Sequence, residues 1–298
     1  MSFIHTVLSF VNTVGIIGVP ILMFSLWMRL DLDEIKKVFQ DPKALLVGLF
    51  CQVLLLLTLS LVIVLLFDFS IFLETAIMLI SFMPSAVTSN YVSNKINGNT
   101  SLSITLTSTV TLISIYSIPI FFQIFSAIKK IEIVIFNTDF VEVAIKIFIL
   151  ITLPVIIGMI FKIYFSKTAK KLSAHCERLC LTIFAIIMTG AVYVCWDLIK
   201  NPMEYYMAVF SLMSVVIVSV LIIAKITNLS QRDTKTIFAE SLLQNNMLGF
   251  IVIYSIAGVD SGILPVLAFY GLLQYIVFTL IYLTLFKNQS YINQFEKI

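Results

Sequence analysis

A chain of 298 residues with 60 % hydrophobic and 12 % charged side chains, at a mean hydropathy of +1.08, lies outside the range of water-soluble globular domains. Its formal charge is +3, and its Lys and Arg do not cluster with interleaved aromatics, which excludes a nucleic-acid partner. The composition predicts an all-α polytopic protein whose main surroundings are a lipid bilayer.

Apolar runs of about 20 residues span a hydrocarbon core about 30 Å thick. In chain order they fall at residues 4–28, 43–67, 71–96, 100–127, 141–164, 175–199, 205–227, 236–258 and 263–286, predicting about nine transmembrane helices in a single domain, 1–298. The first is too long for a signal peptide, lacks a basic leader and is not followed by a small-residue cleavage pattern, so a permanent helix is expected there. Loops after the odd-numbered spans hold all of the 19 Lys and Arg except Lys129, Lys130, Lys146 and Lys200. Because cytoplasmic loops collect basic residues, this asymmetry predicts an outside N-terminus and a cytoplasmic C-terminus in a cell (inner) membrane. The two longest polar connections, about 29–43 and 165–175, are basic and expected on the inside.

The polar break near 128–140, "KKIEIVIFNTDF", divides the chain into a first repeat, 1–128, with four helices and a second, 141–286, with five. Inverted repeats of this kind are common in secondary transporters, where polar or interrupted spans at matching positions mark the binding site. Span three carries "MPSAVTSN", Met83 to Asn90, with a proline in mid-span, and span eight carries "AESLLQNNMLG", Ala239 to Gly249. Pro84 predicts a broken helix. In span eight a break is expected from Gly249 and the polar run.

Span four, "TSLSITLTSTVT", is rich in hydroxyls that can bond back to their own helix or join neighbouring helices without any further function. Ser103 and Thr107 nevertheless lie one turn apart on one face, where two oxygens can point at the same spot. Glu240 weighs against simple packing, since a charge at helix centre costs about 2.5–3.5 kcal/mol even on lenient insertion scales. Hydroxyls, amide carbonyls, freed backbone carbonyls and one carboxylate are the ligand set of a hard cation such as Na⁺. Gln244, one turn after Glu240, would share its face, with Asn245 about 100° away. Lys235 lies about 7.5 Å before Glu240 along the helix, near the inner boundary unless its side chain snorkels. A proton relay is the competing use of Glu240. Asp68, Glu74, Asp197, Glu204 and Asp260 sit near span ends and are expected to be solvated.

Cys51, Cys176, Cys180 and Cys195 have no paired-motif spacing, so no disulfide is expected. His175, Cys176 and Cys180 have metal-like spacing but no further ligand besides Glu177. The two histidines, His5 and His175, join no nucleophile or base, which argues against an enzyme.

The stretches "MFSLWMRLDLDEIKKVFQDPKALLVGLFCQ", "MPSAVTSNYVSNKINGNTSLSITLTSTVTL" and "AESLLQNNMLG" resemble the bile acid:sodium symporter family over most of the chain, in a prokaryotic form. The resemblance implies a panel of helices beside a core in which two discontinuous helices, spans three and eight, cross. It also implies that the first span of the ten-span members is missing. It places a first sodium site on Ser89, Asn90, Ser103, Thr107 and Glu240, and a second on Gln52 and Gln244 with Glu240 and the backbone carbonyls of Ser241 and Leu243. Each side chain matches in type, and the Gly98–Asn99 turn fits. The departures are Pro84, Ser85, Ala86 and Val87, where the family has Pro-Gly-Gly-Thr, and Trp27 in place of a glycine, so a bile acid is not assumed as substrate. The expectation is a sodium-coupled symporter of a small organic anion working by alternating access with two Na⁺. Asn245, Thr88 and Asn246 are its substrate contacts, and its oligomeric state is open. A proton-coupled anion transporter and a non-transporting membrane sensor or scaffold are the alternatives.

Overall fold

The computed structural model describes residues 42–129, 148–194, 203–257 and 262–286, with isolated positions between 13 and 40 and at 141 and 145. Most of the expected span 4–28, the break near 128–140, His5, Trp27, Cys195, Asp197 and Asp260 lie outside the described residues. Among those residues the regular elements are all helices. Helix α1 is Lys43–Leu66, α2 Ile71–Phe82, α3 Val87–Lys95, α4 Thr100–Lys129, α5 Leu153–Tyr164, α6 Ser166–Val194, α7 Met203–Ile226, α8 Gln231–Leu242, α9 Asn246–Ala257 and α10 Ile263–Phe286. Three of these, α1, α7 and α10, are long and apolar enough by themselves to cross a membrane.

Burial is arranged for lipid. Leu46, Phe50, Leu54 and Leu65 on α1 and Met207, Phe210, Val218 and Ile222 on α7 face outward, while Gln52, Ser60, Ser89, Ser103 and Glu240 are turned inward. Apolar side chains meet acyl chains at no cost, and polar ones find partners only inside the protein. Helix α2 is buried all round from Leu73 to Ser81, as a helix at the centre of a bundle must be.

Two places interrupt the helices. After α2, Pro84 lacks an N–H and its ring would clash with the preceding turn, so Met83 turns extended (φ −73°, ψ 144°) and α3 restarts at Val87. Between α8 and α9 the break falls at Leu243–Asn245, with Leu243 at φ −90°, ψ 82°. It therefore lies ahead of Gly249, which belongs to α9, and no proline or glycine causes it. The two links pair with each other. Ser85 and Gln244 form an isolated antiparallel bridge, the Ala86 N–H donates to the Leu243 carbonyl at 2.7 Å, and the Asn245 N–H to the Pro84 carbonyl at 2.8 Å. Tertiary partners replace the lost helical bonds, which is why the break needs no local breaker.

Turns and caps lock the neighbouring ends. Asn97 (φ 55°) and Asn228 (φ 49°) take the left-handed conformation just past α3 and α7. The following N–H groups reach back to Ser93 and Ala224 at 2.7 and 3.0 Å, the hydrogen bond that closes a helix C-terminus. Ser230 caps α8 reciprocally with Asp233, accepting its N–H at 3.1 Å and donating to its carboxylate at 2.6 Å. This start precedes the expected 236 because the polar "SQRDTK" segment docks on the turn before α4. Asn99 donates to Asp233 at 2.8 Å, and Lys235 to the Ile96 carbonyl at 3.3 Å. Lys235 is buried and does not snorkel.

Two further expectations are corrected. The segment 165–175 is not a loop: α6 begins at Ser166 and buries Ala169, Ser173 and Cys176. Those positions form a helical stripe, and Ala169 and Cys176 pack with Met28 and near Phe24 and Phe161. Glu74 is buried rather than solvated, in the first turn of α2, where the helix dipole favours a carboxylate.

Close packing elsewhere depends on one missing side chain. A Cβ on Gly158 of α5 would stand 2.4 Å from the Phe24 carbonyl oxygen. Gly158→Ala is therefore expected to destabilise the protein by about 1–3 kcal/mol through overpacking. Gly249→Ala, whose nearest neighbour would be 3.4 Å away, serves as the tolerated control. Thermal unfolding of both variants in detergent measures the difference.

Candidate ion-binding site

Next to the paired links, the Glu240 side chain is fully buried. One carboxylate oxygen, Oε1, accepts from Ser89 at 2.6 Å and from Ser103. The other, Oε2, accepts from Thr107 at 2.7 Å, from Ser85, and from the Gln52 amide at 3.4 Å. Asn90 adds its side-chain oxygen, 2.8 Å from Ser103 Oγ and 3.4 Å from Thr107 Oγ1. Ser85 and Thr107 hydroxyls lie 3.0 Å apart. None of these partners is a cation.

Each element delivers its residue for a local reason. Ser89 and Asn90 sit on the first turns of α3, just past the Pro84 break, and Ser85 lies in the link itself. Glu240 is in the last turn of α8. On α4, Thr105, Thr109, Thr111 and Ser114 bond back to carbonyls of their own helix, the structural use expected of hydroxyls in such a span. Ser103 and Thr107 instead point at Glu240. Gln52 lies in a π-helical stretch, Phe50–Leu55, within α1, an irregularity that redirects side chains and recurs at functional sites. Gly48, one turn earlier, brings α1 close to Leu106 of α4.

Counting protons shows what the cluster lacks. A hydroxyl has one proton and two lone pairs, and an ionised carboxylate only accepts. Four hydroxyls thus have four protons to serve seven close oxygen–oxygen contacts among themselves, Glu240 and Asn90. Turning the Asn90 amide over would supply N–H groups to Ser103 and Thr107, yet Ser85 and Thr107 would still have two protons for three contacts among themselves and Glu240 Oε2. With Glu240 ionised, oxygen lone pairs would face one another around a negative charge that meets no Lys or Arg among the described residues. Such a concentration of oxygen fits a hard monovalent cation.

The residues expected at a second ion site are brought together only in part. Gln52 reaches Glu240, but Gln244 does not share its face, because α8 ends at Leu242 and Gln244 falls in the break. Its amide donates instead to the Ser241 carbonyl at 2.8 Å and the Glu240 carbonyl at 3.5 Å. The Leu243 carbonyl accepts from Ala86. The expected substrate contacts are also engaged within the protein. Asn245 caps α9 through its side-chain oxygen to the Leu248 N–H at 3.1 Å. Thr88 pairs with Tyr275 at 2.6 Å, and Asn246 donates to the Gln244 carbonyl at 3.1 Å. The Asn246 side-chain oxygen is buried without a hydrogen-bond partner.

Sequence reasoning gave Ser85 no part in the site, noting it among the polar residues after Pro84 and as a departure from a glycine pattern, and missed the whole contribution of α10. Gln274 pairs with the main chain of Gln244 in both directions, accepting its N–H at 2.8 Å and donating to its carbonyl at 3.2 Å. Tyr270 donates to the Leu242 carbonyl at 3.2 Å. A lone glutamine inside the apolar run 263–286 was the available signal.

The sequence matches the family described as Sodium Bile acid symporter family over residues 16–232. That stretch includes Gln52, Ser85, Ser89, Asn90, Ser103 and Thr107 and stops short of Glu240, so the carboxylate's place rests on the geometry above. A protein of Oryza sativa subsp. japonica named probable sodium/metabolite cotransporter BASS2, chloroplastic, is 22 % identical over 237 residues, covering 79 % of this chain and 55 % of the relative. The chain thus spans about half the length of that curated relative. The family match covers well over half of the present residues, and the chain belongs to the sodium bile acid symporter family, whose members are membrane transporters rather than enzymes.

Proposed function

We propose that the protein is a sodium-coupled symporter of a small organic anion, with Na⁺ held at Glu240 by Ser89, Asn90, Ser103 and Thr107. The proton shortage around a buried carboxylate that meets no cation among the described residues carries this reading. A cation there would accept the lone pairs that now face one another and would offset a charge otherwise very costly to bury. A second ion between Gln52, Glu240 and the carbonyls of Ser241 and Leu243 requires Gln244 to release Ser241 and Leu243 to share its carbonyl with Ala86.

In this reading about nine helices form two inverted repeats, 1–128 and 141–286, arranged as a panel and a core. The links between α2 and α3 and between α8 and α9 are equivalent positions of the two repeats. The N-terminus is outside and the C-terminus cytoplasmic in the cell membrane. Sodium favours the substrate-competent state by differential affinity, and the inward sodium gradient and membrane potential drive alternating access. Substrate lies beside the crossing, near Thr88, Asn245 and Asn246, where the unpartnered Asn246 oxygen is the group free to receive a donor.

Proton coupling is the second reading. One proton on Glu240, with the Asn90 amide turned over, would also balance the oxygen contacts. Uptake of a panel of organic acids into proteoliposomes separates the two. Sodium coupling predicts accumulation under an inward sodium gradient at equal pH; accumulation under a pH gradient without sodium would establish the proton instead.

A further inference from the structure

We propose that Ser85 is a cation ligand that tunes which ion the site accepts, an inference that rests on the sodium reading above. Its hydroxyl contacts two site groups at once, Glu240 Oε2 and, at 3.0 Å, Thr107 Oγ1. Thr107 spends its single proton on the same carboxylate oxygen at 2.7 Å. With both hydroxyl protons directed at Oε2, the Ser85 and Thr107 lone pairs face each other. Ser85 and Thr107 thus have two protons for three contacts among themselves and Oε2, a shortage that no orientation of Asn90 relieves and that a positive charge there would relieve.

The backbone around Ser85 leaves it little freedom. Pro84 accepts from Asn245, Ala86 donates to Leu243, and Ser85 itself bridges Gln244. The side chain is 1 % exposed. A ligand held by both paired links is rigid, and rigidity with ligand number is what separates cations of different size. Removing it leaves a site with one oxygen fewer on the Oε2 side, which a smaller ion tolerates better than Na⁺.

The test uses the full-length protein in detergent, with thermal stability titrated against Na⁺ and Li⁺ in a choline background, for wild type, Ser85→Ala and Ser85→Thr. Ser85→Ala, which also loses a donor to the buried Glu240 carboxylate, is expected to unfold at a somewhat lower temperature in every salt and, beyond that constant offset, to need about ten-fold more Na⁺ for half of the stabilisation, the loss of one charge-assisted contact. Its preference should move from Na⁺ toward Li⁺, and Ser85→Thr should restore the Na⁺ midpoint. A purely structural role would lower stability in all salts and leave the Li⁺ to Na⁺ ratio unchanged. A Ser85→Ala midpoint within two-fold of wild type, beside a Glu240→Ala variant that has lost its response, would overturn this assignment and leave the sodium site standing. A wild-type protein insensitive to sodium would overturn both.

Discussion

Glu240→Ala is expected to abolish sodium-dependent stabilisation and sodium-driven uptake, with affinity falling by more than about a hundred-fold. The reason is the environment of the carboxylate, which is fully buried and among the described residues meets four hydroxyls and one amide but no cation. Removing one partner of a buried charge pair typically costs about 3–5 kcal/mol, and each 1.4 kcal/mol is a factor of ten in affinity. Glu240→Gln keeps the shape but presents an N–H₂ where the site needs an anion, so the same loss is expected. In the absence of sodium Glu240→Gln should be at least as stable as wild type, because an uncompensated buried charge has been removed without leaving a cavity. Sodium titrations of thermal stability measure both effects.

Gln274→Leu is expected to lower stability and weaken sodium binding together. Gln274 pairs with the Gln244 N–H and carbonyl, supplying what a neighbouring strand would give. In the variant the carbonyl keeps the Asn246 amide at 3.1 Å, but the N–H is orphaned in the interior, which costs about 1–3 kcal/mol. Because Gln244 bridges Ser85, loosening it should also weaken sodium binding several-fold. A Leu at this position fills similar volume, so a cavity does not confound the result. Unfolding temperature in choline reads the first effect, and the sodium midpoint reads the second.

The parts of the site legible in the sequence were those that violate the apolar background. Glu240, Ser89 and Asn90 stand out as polar groups where lipid exposure would be costly, and Ser103 with Thr107 by their one-turn spacing. The structure separates these two from the back-bonded Thr105, Thr109 and Thr111 on the same helix, a distinction composition cannot make. Pro84 announced its break because proline acts locally. The second break was legible only as a polar run and not in its position, since it is held by Pro84, Ala86 and Gln274 from other segments. Extending α8 past Leu242 on paper put Gln244 on the face of Glu240, when in fact the chain has already left the helix. Ser85 was given no part in the site for a related reason: its role depends on a pairing of links that only the folded chain creates. The early start of α6 was hidden by its lysines, which made an amphipathic first turn read as a loop.

Equilibrium binding of radioactive sodium to the purified full-length protein tests the central claim most directly. Saturable binding that is displaced by unlabelled Na⁺ but not by K⁺ or choline, and is lost in Glu240→Ala, is the predicted result. Identical binding by wild type and Glu240→Ala, or saturable binding in neither, would contradict it.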